Sequence, residues 1–340
     1  MTIPATSNRF PFVASQRIAV FGAGARLTLV RHIDTLHGQA QRVWWHDGYP
    51  RCLVRAQYDA AHLLVATEGP SLHFRATCGG ARLMGMAASP AGDGLIALHE
   101  HPRGARLYTS RGGELVGEHI FSSGRFDLQI ATDGQTVVLT EPRGAAPRRF
   151  ADWSLAESTP WSLEPLRDAL AEPCGPVTGL YDLGDGPLLV TARSWSRWRW
   201  DGQLLAAWTA PRDRDPLNLI AWHDAAPILH AASVEAHGPG RNVPSGHEVF
   251  VWDCIGGRAH SLGQALGWPR GACSPDGRWL LVDRVTRHGR GLELWDLPAL
   301  RLVERLDTRR RAVQAIAFAP DSLHVALATM DDLLVLRVEV

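Results

Sequence analysis

RGACSPDGRWLLVDRVTRHGRGLELWDLPALRLVERLD, the stretch from Arg270 to Asp307, decides the fold. Four short segments rich in Val, Leu and Trp alternate with Gly, Pro, Asp and Arg, which reads as four strands and three turns. The first turn, Ser274-Pro275-Asp276-Gly277, carries its own explanation. Asp bonds to backbone just ahead of it and Gly supplies positive φ, so the chain reverses within a few residues. A longer Arg/His/Gly loop follows the second strand, and the third ends on Trp295-Asp296.

The same grammar recurs in both directions. Downstream, AIAFAPDSLHVALATMDDLLVLRVEV (315–340) places Asp321 in the first turn and ends after three strands. Upstream, 217–253 carries Asp224 and Trp252-Asp253, 177–208 carries Asp185 and Trp200-Asp201, and 126–153 carries Asp133 and closes on the reversed pair Asp152-Trp153. The units at 84–110 and 51–76 place Asp93 and Asp59 in their first turns. Seven first-turn aspartates at a spacing of about 35 to 50 residues are expected of four-stranded propeller blades.

The expected fold is therefore all-β, a single β-propeller domain over 1–340 with seven four-stranded antiparallel blades. Apparent strands precede Pro50 at 17–21, 26–33 and 42–45, and the last unit lacks a fourth strand, so an N-terminal strand is expected to complete it and close the ring. Were those segments to form a blade of their own, the count would be eight. Sustained helical periodicity is confined to Leu163–Glu172 (LEPLRDALAE), too short for a helical layer.

The Trp-Asp ending and the SPDG turn resemble those of WD-repeat β-propellers, in a divergent form, over nearly the whole chain. The Gly-His that opens many WD repeats is not recognisable here. The resemblance implies a rigid protein-interaction scaffold or regulatory subunit. The chain has no Lys and is rich in Ala, Gly and Arg, which suggests a GC-rich bacterial source.

Composition bounds the partners. Of the 340 residues 45% are hydrophobic and 21% charged, which excludes a disordered tail or solvating linker. Lys plus Arg and Asp plus Glu are both 35, so the net charge is zero. A balanced chain lacks the field of a nucleic-acid coat or an anionic-membrane binder, and neither partner is expected. The five cysteines, Cys52, Cys78, Cys174, Cys254 and Cys273, form no CxxC and read as free thiols. The N-terminal segment lacks a basic stretch followed by an apolar run, and no stretch is apolar for the roughly 18 residues of a membrane span, so a cytoplasmic protein is expected.

Propeller geometry sorts loops by face: first-to-second and third-to-fourth turns lie on one, second-to-third loops and inter-blade connections on the other. The first face collects the turn aspartates. The second is expected to present Arg103, Arg143, Arg148, His237, Arg241, Arg287, His288 and Arg290 as the partner-binding set, with His101, Arg149, Arg193, Arg197 and His247 beside them. Turn chemistry does not ask for Arg, whereas planar bidentate pairing with carboxylates does, so an acidic segment of a protein partner is the expected ligand. The loop 235–247 is the longest insertion within a unit and the best single locus for contact.

Chemistry-bearing motifs are sparse. Gly22-Ala23-Gly24 follows a strand but leads into another strand-like run, so no helix N-terminus is there to hold a dinucleotide phosphate. His99-Glu100-His101 lacks an evident third metal ligand nearby. The pairs His46-Asp47 and His223-Asp224 sit where turn residues belong. Trp195, Trp198 and Trp200 with Arg197 and Arg199 suggest base stacking, but Trp198 and Trp200 share one side of a strand and read as core. GxSxG, HExxH and P-loop motifs are absent from the sequence. The sequence thus points to a non-enzymatic scaffold or inhibitory subunit for a protease, transcription regulator or other effector, with no metal and no cofactor. The alternatives are a propeller hydrolase or lactonase at the central channel, and a small-ligand sensor.

Overall fold

A computed structural model describes residues 26–34, 38–56, 61–66, 72–75, 83–101, 104–112, 114–121, 129–140, 147–170, 177–182, 186–191, 194–209, 217–222, 229–236, 246–253, 258–309, 312–329 and 332–339. Strand β1 (Arg26–Asp34) comes first. Blade 1 is β2 (Gly38–His46), β3 (Tyr49–Ala56), β4 (Ala61–Ala66) and β5 (Leu72–Arg75). Blade 2 is β6 (Leu83–Ala88), β7 (Gly94–His101), β8 (Gly104–Arg111) and β9 (Glu114–Phe121). Blade 3 is β10 (Gln129–Thr132), β11 (Val137–Thr140), β12 (Arg148–Phe150) and β13 (Ser158–Pro160), followed by the helix α1 (Glu164–Leu170). Blade 4 is β14 (Val177–Asp182), β15 (Pro187–Thr191), β16 (Ser194–Trp198) and β17 (Leu204–Thr209). Blade 5 is β18 (Leu217–Trp222), β19 (Leu229–Ala236), β20 (Gly246–Asp253) and β21 (Arg258–Ala265). Blade 6 is β22 (Arg270–Cys273), β23 (Trp279–Thr286), β24 (Gly289–Asp296) and β25 (Arg301–Arg309). Blade 7 is β26 (Ala315–Phe318), β27 (His324–Ala328) and β28 (Asp332–Glu339), and its fourth strand is β1.

This is the seven-bladed propeller expected, with the N-terminal strand completing the last blade. β1 runs antiparallel to β28 from Arg26 opposite Glu339 to Asp34 opposite Asp332. The Leu27 amide also donates to Glu304 Oε2 of blade 6 at 2.6 Å.

Burial explains the sequence pattern. The second and third strands of a blade are covered by a neighbour on both sides, so β15 (PLLVT) and β16 (SWSRW) are buried at every position. The outer strands β9 and β21 are mostly exposed. Among the described residues, seven apolar clusters fill the seams. Cys52 and Val54 meet Ala326, Ala328 and Leu333 between blades 7 and 1, Leu53 meets Leu95 between 1 and 2, and Phe150 meets Leu98 between 2 and 3. Blades 3 and 4 join through Val138 and Trp198, 4 and 5 through Trp195 and Trp252, 5 and 6 through Val251 and Leu280, and 6 and 7 through Leu292 and Leu327. The seams therefore run from each blade to the next and from the last to the first.

The tryptophans that mark the repeats pack into these seams. Trp252 and Trp295 close β20 and β24 as expected, whereas Trp200 lies just beyond β16, and Trp153 just beyond β12. Trp198 and Trp200 are core, and Trp195 is buried in the adjacent seam, which removes all three from a stacking platform. Leu166 of the helix plugs the seam between blades 3 and 4.

One unit is framed differently from the sequence reading. Blade 1 begins at β2, so its first turn is Asp47-Gly48 and the stretch at Arg51 is its second strand. Both turn residues have positive φ, 51° and 78°, the backbone of a two-residue hairpin turn that follows the strand twist. Asp59 belongs to the segment between β3 and β4 and lies outside the described residues.

Candidate functional site

The strand order places the first-to-second turns on one face, and there the aspartates serve the backbone. Asp133 Oδ1 accepts from the amides of Gln135 and Thr136 at 2.8 and 2.6 Å. Asp276 Oδ1 accepts from the Arg278 amide at 3.0 Å and from Ser274 Oγ. Asp321 Oδ1 accepts from the Leu323 and His324 amides, both at 2.9 Å. Burial pushes the Asp321 carboxyl up, but the His324 imidazole at 2.6 Å and the two amides outweigh it and hold the pKa below the ordinary value. Asp93 takes the Ser89 hydroxyl and faces Arg111. Asp185 and Asp224 lie outside the described residues.

His46 and Asp47 touch at 3.2 Å in the blade 1 turn, with Asp47 82% exposed, which is turn geometry on the same face. His99 is buried in β7 against the Tyr108 ring. Among the described residues no group of three or more His, Cys, Asp or Glu could hold a metal ion. Cys52 and Cys273 are free thiols that burial pushes up to about 12, so both stay protonated.

The opposite face receives the second-to-third loops and the inter-blade connections. Arg287 and His288 form the two-residue turn between β23 and β24 and are exposed, as is Arg148 at the start of β12. Arg103, Arg143, His237 and Arg241 lie outside the described residues, as does Arg193. Arg290 is engaged within its own blade: its Nε and Nη2 reach Asp283 Oδ2 at 3.0 and 2.9 Å, and Asp283 is 0% exposed. Burial pushes the Asp283 carboxyl up, opposed by the Arg290 guanidinium, the Val313 amide and the charge of Arg270.

Three neighbours of that set differ from expectation. Arg197 is buried in β16 and donates to the Gly186 carbonyl, toward the first-turn face. The loop before β16 spans only 192–193, so Arg197 falls too far along the strand to belong to it. His247 is buried at the start of β20, and Arg149 is half-buried in β12.

The sequence reading missed the feature that completes this face. Residues 266–269 join β21 to β22, and there Trp268 is 62% exposed and Leu266 44%. The segment is fixed: the Leu266 amide donates to the Val285 carbonyl at 2.7 Å, Pro269 is buried, and the His247 ring lies 4.4 Å from that of Trp268. Exposed Arg270 follows directly. A Trp amid Gly and Pro, outside any strand, was the available signal.

Residues of all seven inner strands line an open cavity of about 550 Å³ along the axis. Its described wall presents polar and apolar surface in similar measure, with Tyr181 and Trp222 as aromatics and Arg42 and Arg270 as the charged groups. Neither a protein-family model nor a curated protein matches the chain.

Proposed function

We propose that this chain is a scaffold or regulatory subunit of WD-repeat type, without chemistry of its own, that docks an acidic segment of a protein partner on its loop face. The observation that carries the reading is Trp268, held 62% exposed on the face that also carries exposed Arg270, Arg287 and Arg148. Trp and Arg dominate binding hot spots because one offers a large rigid apolar area and the other a planar bidentate donor. A lone exposed Trp would carry little weight. The combination with several guanidiniums favours a partner that offers both an apolar side chain and carboxylates.

The turn aspartates of the other face support the same orientation, because their oxygens are occupied by amides of their own turns. Within the set expected from sequence, Arg148, Arg287 and His288 are the described members free to face a partner's surface, while Arg290 holds Asp283. The partner is taken to be an effector such as a protease or a transcription regulator in a bacterial cytoplasm. Among the described residues no helix is long and apolar enough to cross a membrane.

The test is a matched pair of variants in a quantitative binding assay with the partner isolated from the native host. Trp268→Ala combined with Arg287→Glu is expected to weaken binding about 100-fold or more, with an unchanged melting temperature because both side chains are exposed. Asp296→Arg, on the opposite face, is expected to leave affinity unchanged. If the Asp296 variant abolishes binding and the loop-face variant does not, docking is on the wrong face and the proposal fails.

A further inference from the structure

We infer that the axial cavity is a binding site for a small organic anion, a carboxylate or phosphate monoester carried on an apolar, aromatic-sized body. Its volume of about 550 Å³ falls in the roughly 300 to 1,000 Å³ range of small-molecule sites. Strands from all seven blades contribute to it, so it is built by the ring as a whole.

The distribution of charge along the wall is uneven. Arg42 comes from β2 and Arg270 from β22, the two inner strands that flank β26, whose own lining residues 315–318 (AIAF) are apolar. No carboxylate occurs among the described lining residues. Two cations in a wall without a described carboxylate favour an anion in the space they line. Guanidinium geometry selects planar or tetrahedral oxyanions that accept two parallel hydrogen bonds. Tyr181 and Trp222 offer aromatic surface for the apolar body. Arg270 opens β22 on the loop face, which puts one cation at the mouth, while Arg42 issues from mid-strand.

The same oxyanion chemistry could arrive as a free metabolite or as a Glu side chain of a docked protein, and the aromatic surface of Tyr181 and Trp222 in the same wall favours the free molecule. The experiment uses the full chain and three probes: phenyl phosphate, phenol and a Glu-rich decapeptide, each titrated calorimetrically. One phenyl phosphate per chain is expected, with phenol and the decapeptide each weaker by about tenfold or more. Arg270→Gln, at an exposed position and with its fold checked by circular dichroism, is expected to weaken phenyl phosphate about tenfold or more, and Arg42→Gln likewise. Ile316→Trp, which adds bulk to the wall, is expected to block it. Absence of saturable phenyl phosphate binding by the native chain overturns the inference, as does equal binding by folded Arg270→Gln. Decapeptide binding alone, lost in Arg270→Gln, also overturns it and assigns the arginines to protein docking.

Discussion

Replacing Arg290 by Gln is expected to destabilise the protein strongly at neutral pH and weakly in acid. The guanidinium meets a carboxylate, Asp283, with 0% exposure, through bonds of 2.9 and 3.0 Å to one oxygen. Without it the charge keeps only the Val313 amide and the more distant Arg270. An uncompensated buried charge of this kind costs about 3 to 5 kcal/mol. Protonation sets a ceiling, because raising an Asp from about 3.9 until it is neutral at pH 7 costs about 4 kcal/mol at about 1.36 kcal/mol per unit. A loss of about 3 kcal/mol at pH 7 is therefore expected, shrinking to about 1 kcal/mol at pH 4.5. The direction follows from the raised pKa of Asp283. Folded chain holds the proton more tightly than unfolded chain, so stability falls as pH rises from the unfolded value through the folded one, the reverse of an ordinary paired Asp. Urea unfolding followed by Trp fluorescence at the two pH values gives the difference in midpoints. Asp283→Asn added to Arg290→Gln removes both charges and is expected to recover most of the loss. A loss under about 1 kcal/mol at pH 7, or an equal loss at both pH values, would refute the reasoning.

Two further substitutions probe the ring itself. Leu27→Ala empties a buried position of the seam between blades 6 and 7 on the strand that completes the last blade, and is expected to cost about 2 to 3 kcal/mol in urea unfolding. Gly186→Ala would drive a methyl group into the Trp198 carbonyl. A loss of about 2 kcal/mol or more is expected in the same assay, and because Gly186 ends the first turn of its blade, on the opposite face, loop-face binding by the folded variant is expected to be unchanged.

The blades were legible in the sequence because their middle strands are buried on both sides. WLLVD and PLLVT therefore appear as largely apolar runs bounded by turns, and the Trp at or just beyond the third strand of blades 3 to 6 fills a seam. Blade 1 was misframed because its two-residue turn, Asp47-Gly48, leaves β2 and β3 almost continuous in sequence, while Asp59 after β3 imitates a first turn. The acid inside WLLVDRV was a sign that an Arg must be near, but the partner, Arg290, sits across a hairpin whose register the sequence does not print. Counting residues from the loop would have removed Arg197 from the basic face. The meeting of Arg42 and Arg270 in one cavity wall depends on which strands are innermost, and the two lie 228 positions apart in the chain.

The claim that the loop face is the docking face is tested most directly by site-specific photo-crosslinking of the complex. A photoreactive phenylalanine analogue at Trp268 is expected to capture the partner, with linked peptides rich in Asp and Glu, while the same group at Ala299, in the exposed turn on the opposite face, captures none. Crosslinks from position 299 with none from 268 would contradict the account.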